Sequence, residues 1–295
     1  MHGYGSVSEK APGGSVARAV AGADTAFAPS VTPHTASRNP VADSAARRLA
    51  ELGDPTRTAP AYREIAAGFI RDIDTVFTHA LRVPRPWLHQ LVARYDRVLH
   101  EELVPRLAVD GVTFPRWDEL SSLERVQMQR RFRERTFPLF SPMAVDSTHP
   151  LPRLPSLTVN VAMQVDGRLV LVTIAPHVPR LLTVQRGRYL TMEAFVGALL
   201  PRLLVGVRIA EHTAFRITRS TMADRAVRLE VESGSSTGLL DALASRLGLD
   251  GGDVYRLRSS LAMGDPLAVA PGRIAADRRP STAGTRAQTA PRKAP

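Results

Sequence analysis

The spacing of apolar residues changes once along this chain, and this change constrains the fold more than any other feature. Up to about residue 136 apolar residues recur at three- and four-residue intervals, as from Trp87 to Leu107. That spacing places them on one face of a helix. After Pro155 the period becomes two, and apolar and polar residues alternate from Leu157 to Val165. The sequence therefore predicts helices first and a region built on strands second.

The second region also contains specific turn and cap signals. Asp166-Gly167 is typical of a type I′ turn and predicts a hairpin whose returning strand covers residues 168–174. Further strands are predicted over residues 181–185, 214–218, 226–232 and 254–257. Helices are predicted over residues 192–204, after a Thr191 cap, and 238–247, ended by Gly248.

These patterns predict an α+β fold with four segments. A helical N-terminal domain is expected over residues 44–136. A connector and a smaller, mainly antiparallel α+β middle domain follow over residues 137–263. Residues 1–43 and 264–295 lack apolar periodicity and are expected to be disordered tails, the second of them basic.

Composition removes several classes of enzyme. The chain has no cysteine, which excludes a thiolate zinc site, an iron–sulfur cluster and a cysteine nucleophile. Its only lysines, Lys10 and Lys293, fall in the predicted tails, which excludes a phosphate-binding loop lysine or a Schiff-base lysine in the folded part. No basic start precedes a long apolar run, and no uncharged apolar stretch reaches about 18 residues. We therefore expect a cytoplasmic chain with no membrane span.

The predicted folded part carries a net positive charge. The net charge is +11, of which the basic C-terminal tail holds +4 and the N-terminal tail none, leaving +7 on residues 44–263. Such a field favours a polyanionic partner, but it is equally compatible with a solvated, arginine-rich surface. Both interpretations stay open, and nucleic acid is not the favoured partner.

No established catalytic or metal-binding pattern is found. The histidines show no H-E-x-x-H or related spacing, so no metal site and no catalytic residue is predicted. Asp72 and Asp74 lie two positions apart on a predicted helix, where they point to different sides. The arginine-rich run at residues 130–135 is interpreted as a solvated helix face, partly paired with Glu124 and Glu134.

One segment is difficult to explain as generic packing. Residues 137–152 place four prolines and the pair Asp146 and His149 between the two predicted domains. Each proline restricts the residue before it to extended conformations, which predicts a stiff connector of specific shape. For His149 a structural hydrogen bond is favoured over a nucleophilic role.

The connector is similar to the F-P-x-L-T-P-x-A-x-D-x-x-H-P-F-P signature of the polyphosphate kinase family, the large ATP–polyphosphate phosphotransferases. Three further segments resemble that family in order and spacing: F-R-I-T-R at 215–219, V-R-L-E-V at 227–231 and D-V-Y at 253–255. Asn160 lies where the family has S-L-N-L. The resemblance covers residues 44–263 and implies the family's N-terminal and middle domains.

The resemblance also implies ligands. Family members use ATP and Mg²⁺ to transfer the terminal phosphate of ATP, reversibly, to polyphosphate. Asp72 occupies the position of the nucleotide-contacting Asn in the family's S-N-L-D-E-F-F motif, which makes it the candidate nucleotide-binding residue. A carboxylate in place of the amide cannot donate a hydrogen bond and repels phosphate. No cofactor is therefore assigned to this chain.

Several hypotheses of function follow. The family's two C-terminal domains, which carry its phosphohistidine nucleophile, have no counterpart in this sequence. The leading hypothesis is therefore a truncated polyphosphate kinase-like protein, inactive alone, and whether the chain is itself an enzyme stays open. The alternatives are a regulatory or oligomerisation partner of a full-length polyphosphate kinase, or a polyanion-binding module. The expected partners are ATP, polyphosphate, a second copy or a full-length homologue, and a frameshifted gene is a further explanation.

Overall fold

The computed structural model describes residues 39–258, except 55, 57, 137–139, 141, 176 and 177. Its first part is helical. The helices are α1 (Pro40–Leu52), α2 (Ala59–Thr78), α3 (Arg85–Val98), α4 (Val104–Val109) and α5 (Ser122–Arg131). A π-helical turn, Leu99–Leu103, joins α3 to α4, and a second one, Phe132–Thr136, follows α5.

The start of α1 corrects the boundary of the predicted N-terminal tail. The Asn39 side chain accepts hydrogen bonds from the backbone N–H groups of Val41 and Ala42, and Pro40 occupies the first helical position. Residues 40–43 therefore belong to a capped helix and not to a tail. The rest of the predicted tails lies outside the described residues.

The S-x-x-E spacing of Ser121 and Glu124 predicts a capping box at the start of a helix, and α5 begins with one. Ser121 Oγ accepts from the backbone N–H of Glu124, and Glu124 Oε2 accepts from the backbone N–H of Ser121 at 2.8 Å. This reciprocal pair satisfies two N–H groups that the helix itself leaves without partners.

The second part is built on a six-stranded sheet. The strands are β1 (Met143–Val145), β2 (Val159–Val165), β3 (Arg168–Thr173), β4 (Leu181–Gln185), β5 (Arg188–Thr191), β6 (Ile209–Arg219), β7 (Ala226–Glu232) and β8 (Val254–Leu257). The sheet has the order β1-β3-β2-β6-β7-β8, and its pairs are antiparallel except for the parallel pair of β7 and β8. Strands β4 and β5 form a separate hairpin. The predicted α+β class is confirmed.

The hairpin of β2 and β3 forms as predicted. Asp166 and Gly167 both have positive φ, 47° and 78°, as a type I′ turn requires. The turn fixes a register in which Val165 pairs with Arg168 and Asn160 with Thr173.

Three strand assignments differ from the prediction. Strand β1 lies inside the proline-rich connector, where no strand was predicted, and pairs with residues 169–171 of β3. Strand β5 was also not predicted. Strand β6 begins at Ile209 and not at Ala214, because its first residues continue the ladder with β2.

Helices cover the sheet and share its core. The helices of this part are α6 (Met192–Leu203), capped by Thr191, and α7 (Thr237–Leu247), which ends at Gly248 in the left-handed region. Both contact β2. Nearly every residue of β2 is buried, so both of its faces are covered.

Helices from the first part pack on the same sheet. Helix α2 contacts β6 and β7, and α3 contacts β8. The Phe77 ring meets the Tyr255 ring edge-on, with centroids 5.4 Å apart. The predicted division into two domains near residue 136 stays a prediction. None of the described helices is both long and apolar enough to cross a membrane.

Candidate functional site

The junction of α2 with strands β6 and β7 brings four charged residues together, and we call them the charge cluster: Asp74, Arg216, Arg228 and Glu230. Asp74 lies on α2 between the buried residues Ile73 and Phe77. Arg216 and Glu230 are register partners on β6 and β7, and Arg228 lies two residues before Glu230. Strand geometry therefore puts the three strand residues on one face.

Arg216 uses all three of its side-chain nitrogens within the charge cluster. Its Nη2 and Nη1 donate to Asp74 Oδ1 and Oδ2 at 3.1 and 3.3 Å, and its Nε donates to Glu230 Oε2. A bidentate fork of this kind fixes both orientation and charge.

Arg228 lies beside Arg216 and contacts Asp74, Thr218 and Phe77. Its Nη2 donates to Asp74 Oδ1, and its Nε donates to Thr218 Oγ1 at 3.0 Å. Its guanidinium lies over the Phe77 ring, 4.4 Å from the centroid. A desolvated cation over an aromatic face gains further electrostatic attraction.

The charge cluster is buried and neutral. The side chain of Arg228 is 0% exposed, those of Arg216 and Glu230 are each 6% exposed, and that of Asp74 is 15% exposed. Two cations face two anions, so the net charge is zero. The cluster is consequently a closed set of ion pairs that joins a helix to a sheet.

Electrostatics keep Asp74 ionised. Burial raises its pKa, but the charges of Arg228 and Arg216 and their hydrogen bonds together hold the pKa below its usual range. Burial likewise disfavours the charged form of Arg216, while Glu230 and Asp74 hold its pKa above the ordinary arginine value. Asp74 and Arg216 therefore both keep their charges near neutral pH.

Asp72, the candidate nucleotide-binding residue, lies elsewhere. Its Oδ2 accepts from Arg48 Nε of α1 at 3.0 Å, and the two side chains are 21% and 36% exposed. Gly68 makes room for this pair, because a Cβ at Gly68 would meet the Arg48 guanidinium at 2.4 Å. Asp72 and Asp74 therefore point to different sides of α2, as their spacing predicts. A nucleotide-binding role for Asp72 stays a prediction.

Residues Asp146 to His149 of the connector form a turn that is held by the Asp146 side chain. Asp146 Oδ1 accepts from the backbone N–H groups of Thr148 and His149, both at 2.8 Å, and from Thr148 Oγ1 at 2.7 Å. It also lies 3.1 Å from His149 Nδ1. The hydrogen bonds from Thr148 and His149 hold the pKa of Asp146 well below its usual range. His149 has the structural hydrogen bond that the sequence favours, and its side chain is 74% exposed.

The arginine-rich run differs in part from its predicted pairing. Arg130 Nε donates to Glu134 Oε1 at 2.8 Å, as expected. Glu124 instead accepts from Ser121 and lies 3.4 Å from Arg188 Nε of β5. Among the described residues, no group of three or more histidines and carboxylates is arranged to hold a metal ion.

The sequence did not identify the charge cluster. In the sequence, Arg216, Arg228 and Glu230 stand out only as members of family-like strand motifs, and Asp74 has no predicted role. The available signal was a charge at the inward position of otherwise apolar strands. Such a charge is rarely buried unless it is paired, so each one implies a partner that only the fold identifies.

Comparison with known proteins connects this fold to one family. Residues 124–225 match the family model described as "Polyphosphate kinase middle domain". The polyphosphate kinase of Streptomyces coelicolor is 35% identical over 164 residues, which are 54% of this chain and 21% of that protein. That of Mycobacterium avium is 35% identical over 176 residues, 54% of this chain and 23% of that protein. The aligned regions thus span about a fifth to a quarter of the length of these relatives.

A solved structure shares the fold. The crystal structure of polyphosphate kinase from Porphyromonas gingivalis matches with a TM-score of 0.68, over 77% of this chain and 39% of that chain. The sequence identity is 17%, so this match supports the fold alone. Residues 124–225 thus match the middle domain of polyphosphate kinases, and this match together with the curated relatives supports the polyphosphate kinase family for the chain.

Proposed function

We propose that this chain is a polyphosphate kinase-like module that does not transfer phosphate by itself and acts as a regulatory or oligomerisation partner of a full-length polyphosphate kinase. The charge cluster carries the first half of the proposal. Arg216 and Arg228 belong to the family-like motifs, yet Asp74 and Glu230 already engage them. A phosphate group would have to displace a buried carboxylate to reach either arginine.

Phosphoryl transfer from ATP to polyphosphate requires a nucleophile, cationic groups on the phosphate oxygens and Mg²⁺ in one place. His149, the histidine of the connector motif, is exposed and bonded to its own turn. Asp72 is paired with Arg48 and has no hydrogen-bond donor for a nucleotide. These arrangements support structural roles for His149, Asp72 and Arg48. The cytoplasmic location expected from the sequence stays a prediction.

The shared fold supports the second half of the proposal. A chain that has the fold of part of a polyphosphate kinase over 77% of its own length can present surfaces like those of the corresponding part of a full-length enzyme. A full-length homologue is accordingly the proposed partner, with ATP and Mg²⁺ handled by that homologue.

The test of the first half is direct. The purified whole chain is incubated with radiolabelled ATP and Mg²⁺, beside a full-length polyphosphate kinase as the positive control. We expect neither polyphosphate nor acid-labile labelled protein above the blank. Time-dependent formation of either one would overturn the proposal of an inactive chain.

The test of the second half uses the same two proteins. Sedimentation of the labelled chain is measured with increasing amounts of the full-length kinase, and the kinase rate is measured in parallel. We expect a complex at micromolar concentrations and a changed rate. A chain that sediments independently of the kinase and leaves its rate unchanged contradicts this half only.

A surface cleft favours a second candidate function, polyanion binding. A cleft of about 340 Å³ is lined by Arg168, Arg246, Gln164 and Asp146, among others, and the Asp146 carboxylate accepts hydrogen bonds from its own turn. Arg246 Nη1 donates to the backbone carbonyl of Asp146 at 3.0 Å, which leaves its charge without a carboxylate partner among the described contacts. Two guanidinium groups in one cleft suit an extended oxyanion.

Binding of fluorescent polyphosphate tests this candidate. We expect the affinity of the chain to fall steeply with salt and to drop at least tenfold in Arg168→Glu/Arg246→Glu. The control is Arg202→Glu/Arg208→Glu, which makes the same charge change at exposed residues outside the cleft. Equal losses in both double variants would show a general charge effect and remove the cleft from the proposal.

A further inference from the structure

A small cavity lies beside the charge cluster, where α2 and α3 meet the sheet. Its volume is about 30 Å³, and its polar lining includes Tyr95, Arg228 and Glu230. Two polar atoms in this lining have no hydrogen-bond partner among the described residues: Tyr95 Oη and Arg228 Nη1. Their residues are 4% and 0% exposed.

Both atoms require a partner. Arg228 Nη1 is 3.6 Å from Glu230 Oε1, which is an ion-pair distance and longer than a hydrogen bond. Burial, together with the charge of Asp96, raises the pKa of Tyr95, so its hydroxyl keeps its proton and can donate as well as accept. Buried donors are almost always satisfied, because an unpaired one loses its hydration without compensation.

The charges around the cavity identify what kind of molecule would fit. The charge cluster balances itself, and Asp96, which also lines the cavity, accepts from Arg258 Nε at 3.1 Å. An added anion or cation would therefore leave an uncompensated charge in a buried place. The partner of Tyr95 and Arg228 must be a neutral molecule. It must accept a hydrogen bond from Arg228 Nη1 and form a second hydrogen bond with Tyr95 Oη.

The volume limits the partner further. A water molecule needs roughly 10–15 Å³ of such space, so a cavity of about 30 Å³ has room for at least one water and for no more than two or three. A phosphate group, with four oxygens around its phosphorus, is too large for this space.

We infer that the cavity binds an ordered internal water that bridges Tyr95 Oη of α3 and Arg228 Nη1 of β7. This water is a fixed part of the charge cluster and connects Tyr95 of α3 to Arg228 of the sheet. The inference goes beyond the proposed function, because the water is expected whether or not the chain binds a homologue.

A high-resolution crystal structure of the whole chain tests the inference. We expect a solvent peak within about 2.7–3.2 Å of both Tyr95 Oη and Arg228 Nη1. A cavity without a peak would overturn it, and so would an anomalous peak at this place after a bromide soak, since that shows an anion.

Relaxation dispersion of ¹⁷O water gives an independent readout in solution. Tyr95→Phe removes the hydroxyl but keeps the ring, which stacks on Phe69 at 4.4 Å. We expect the number of long-lived internal waters to fall by one. Tyr62→Phe is the control, because its hydroxyl donates to the Asp54 carbonyl and does not line the cavity, so its count should equal that of the wild type. An unchanged number of long-lived internal waters in Tyr95→Phe contradicts the inference. If that variant does not fold, the wild-type crystal structure decides between the two outcomes.

Discussion

Arg216 holds both carboxylate oxygens of Asp74, at 3.1 and 3.3 Å, across 142 residues of sequence. The contact joins a helix of the first part of the chain to a central strand of the sheet. Because Arg228 and Glu230 complete the same cluster, removal of any one member leaves an uncompensated charge inside the protein.

The first prediction concerns Asp74→Asn. The amide keeps the shape of the side chain but leaves two buried arginines facing one carboxylate. We expect a loss of about 3–5 kcal/mol in the free energy of unfolding, measured by urea denaturation. Asp72→Asn is the matched control on the same helix. Its ion pair with Arg48 is partly exposed, so we expect a loss of at most about 1 kcal/mol. Equal losses in the two variants would contradict a special role for the cluster.

The second prediction concerns how the difference in unfolding free energy between wild type and Asp74→Asn depends on pH. An unfolded aspartate has a pKa of about 3.9, and the folded pKa of Asp74 is lower. The unfolded chain therefore binds the proton first, and the contribution of Asp74 is present above about pH 4 and is lost as pH falls through the folded pKa. Unfolding of wild type and Asp74→Asn from about pH 6 to about pH 2 should show a shrinking stability difference. A difference that stays constant over this range would mean that the Asp74 charge contributes nothing.

The third prediction concerns Gly187 in the β4–β5 hairpin. Its φ is +77°, and a Cβ here would lie 2.2 Å from the Gly111 backbone carbonyl oxygen. The Gly187 carbonyl also accepts from the Thr113 backbone N–H at 2.8 Å. This hydrogen bond holds the turn in place, so an alanine side chain could not easily move away from Gly111.

We expect Gly187→Ala to lower the melting temperature more than Gly167→Ala. Gly167 has a φ of +78° but no neighbour within 4 Å of an added Cβ, so it reports the backbone cost alone, about 1 kcal/mol. Similar shifts in the two variants would show that the contact with Gly111 is unimportant.

The fourth prediction concerns the cap of α5. Ser121→Ala removes the acceptor for the Glu124 N–H and should destabilise the protein by about 1 kcal/mol in thermal unfolding. Ser122→Ala, at the adjacent exposed position, serves as the control and should change stability by no more than a few tenths of a kcal/mol. The reverse order of effects would contradict the assigned cap.

The features that the sequence predicted well are local. Asp166-Gly167, Ser121 with Glu124, and Gly248 each determine a turn, a cap or a helix end through their own backbone preferences. These interactions span a few residues, so they are readable before the fold is known.

The features that were missed depend on distant partners. Strand β1 has only three residues among prolines and exists because β3 offers it an edge. The charge cluster requires Asp74 to meet strands that begin more than 130 residues later. Neither the hydrophobic period nor the composition predicts this contact. The family-like motifs include the two arginines but do not indicate their carboxylate partners.

A double-mutant cycle on Asp74 and Arg216 measures whether the two side chains act as one unit. Asp74→Asn, Arg216→Met and the double variant are compared with the wild type by urea denaturation. We predict a coupling free energy of roughly 1–3 kcal/mol, because either single change leaves the other partner buried and unpaired. A coupling near zero, with the two losses simply adding, would contradict the claim that these residues act as one buried, neutral cluster.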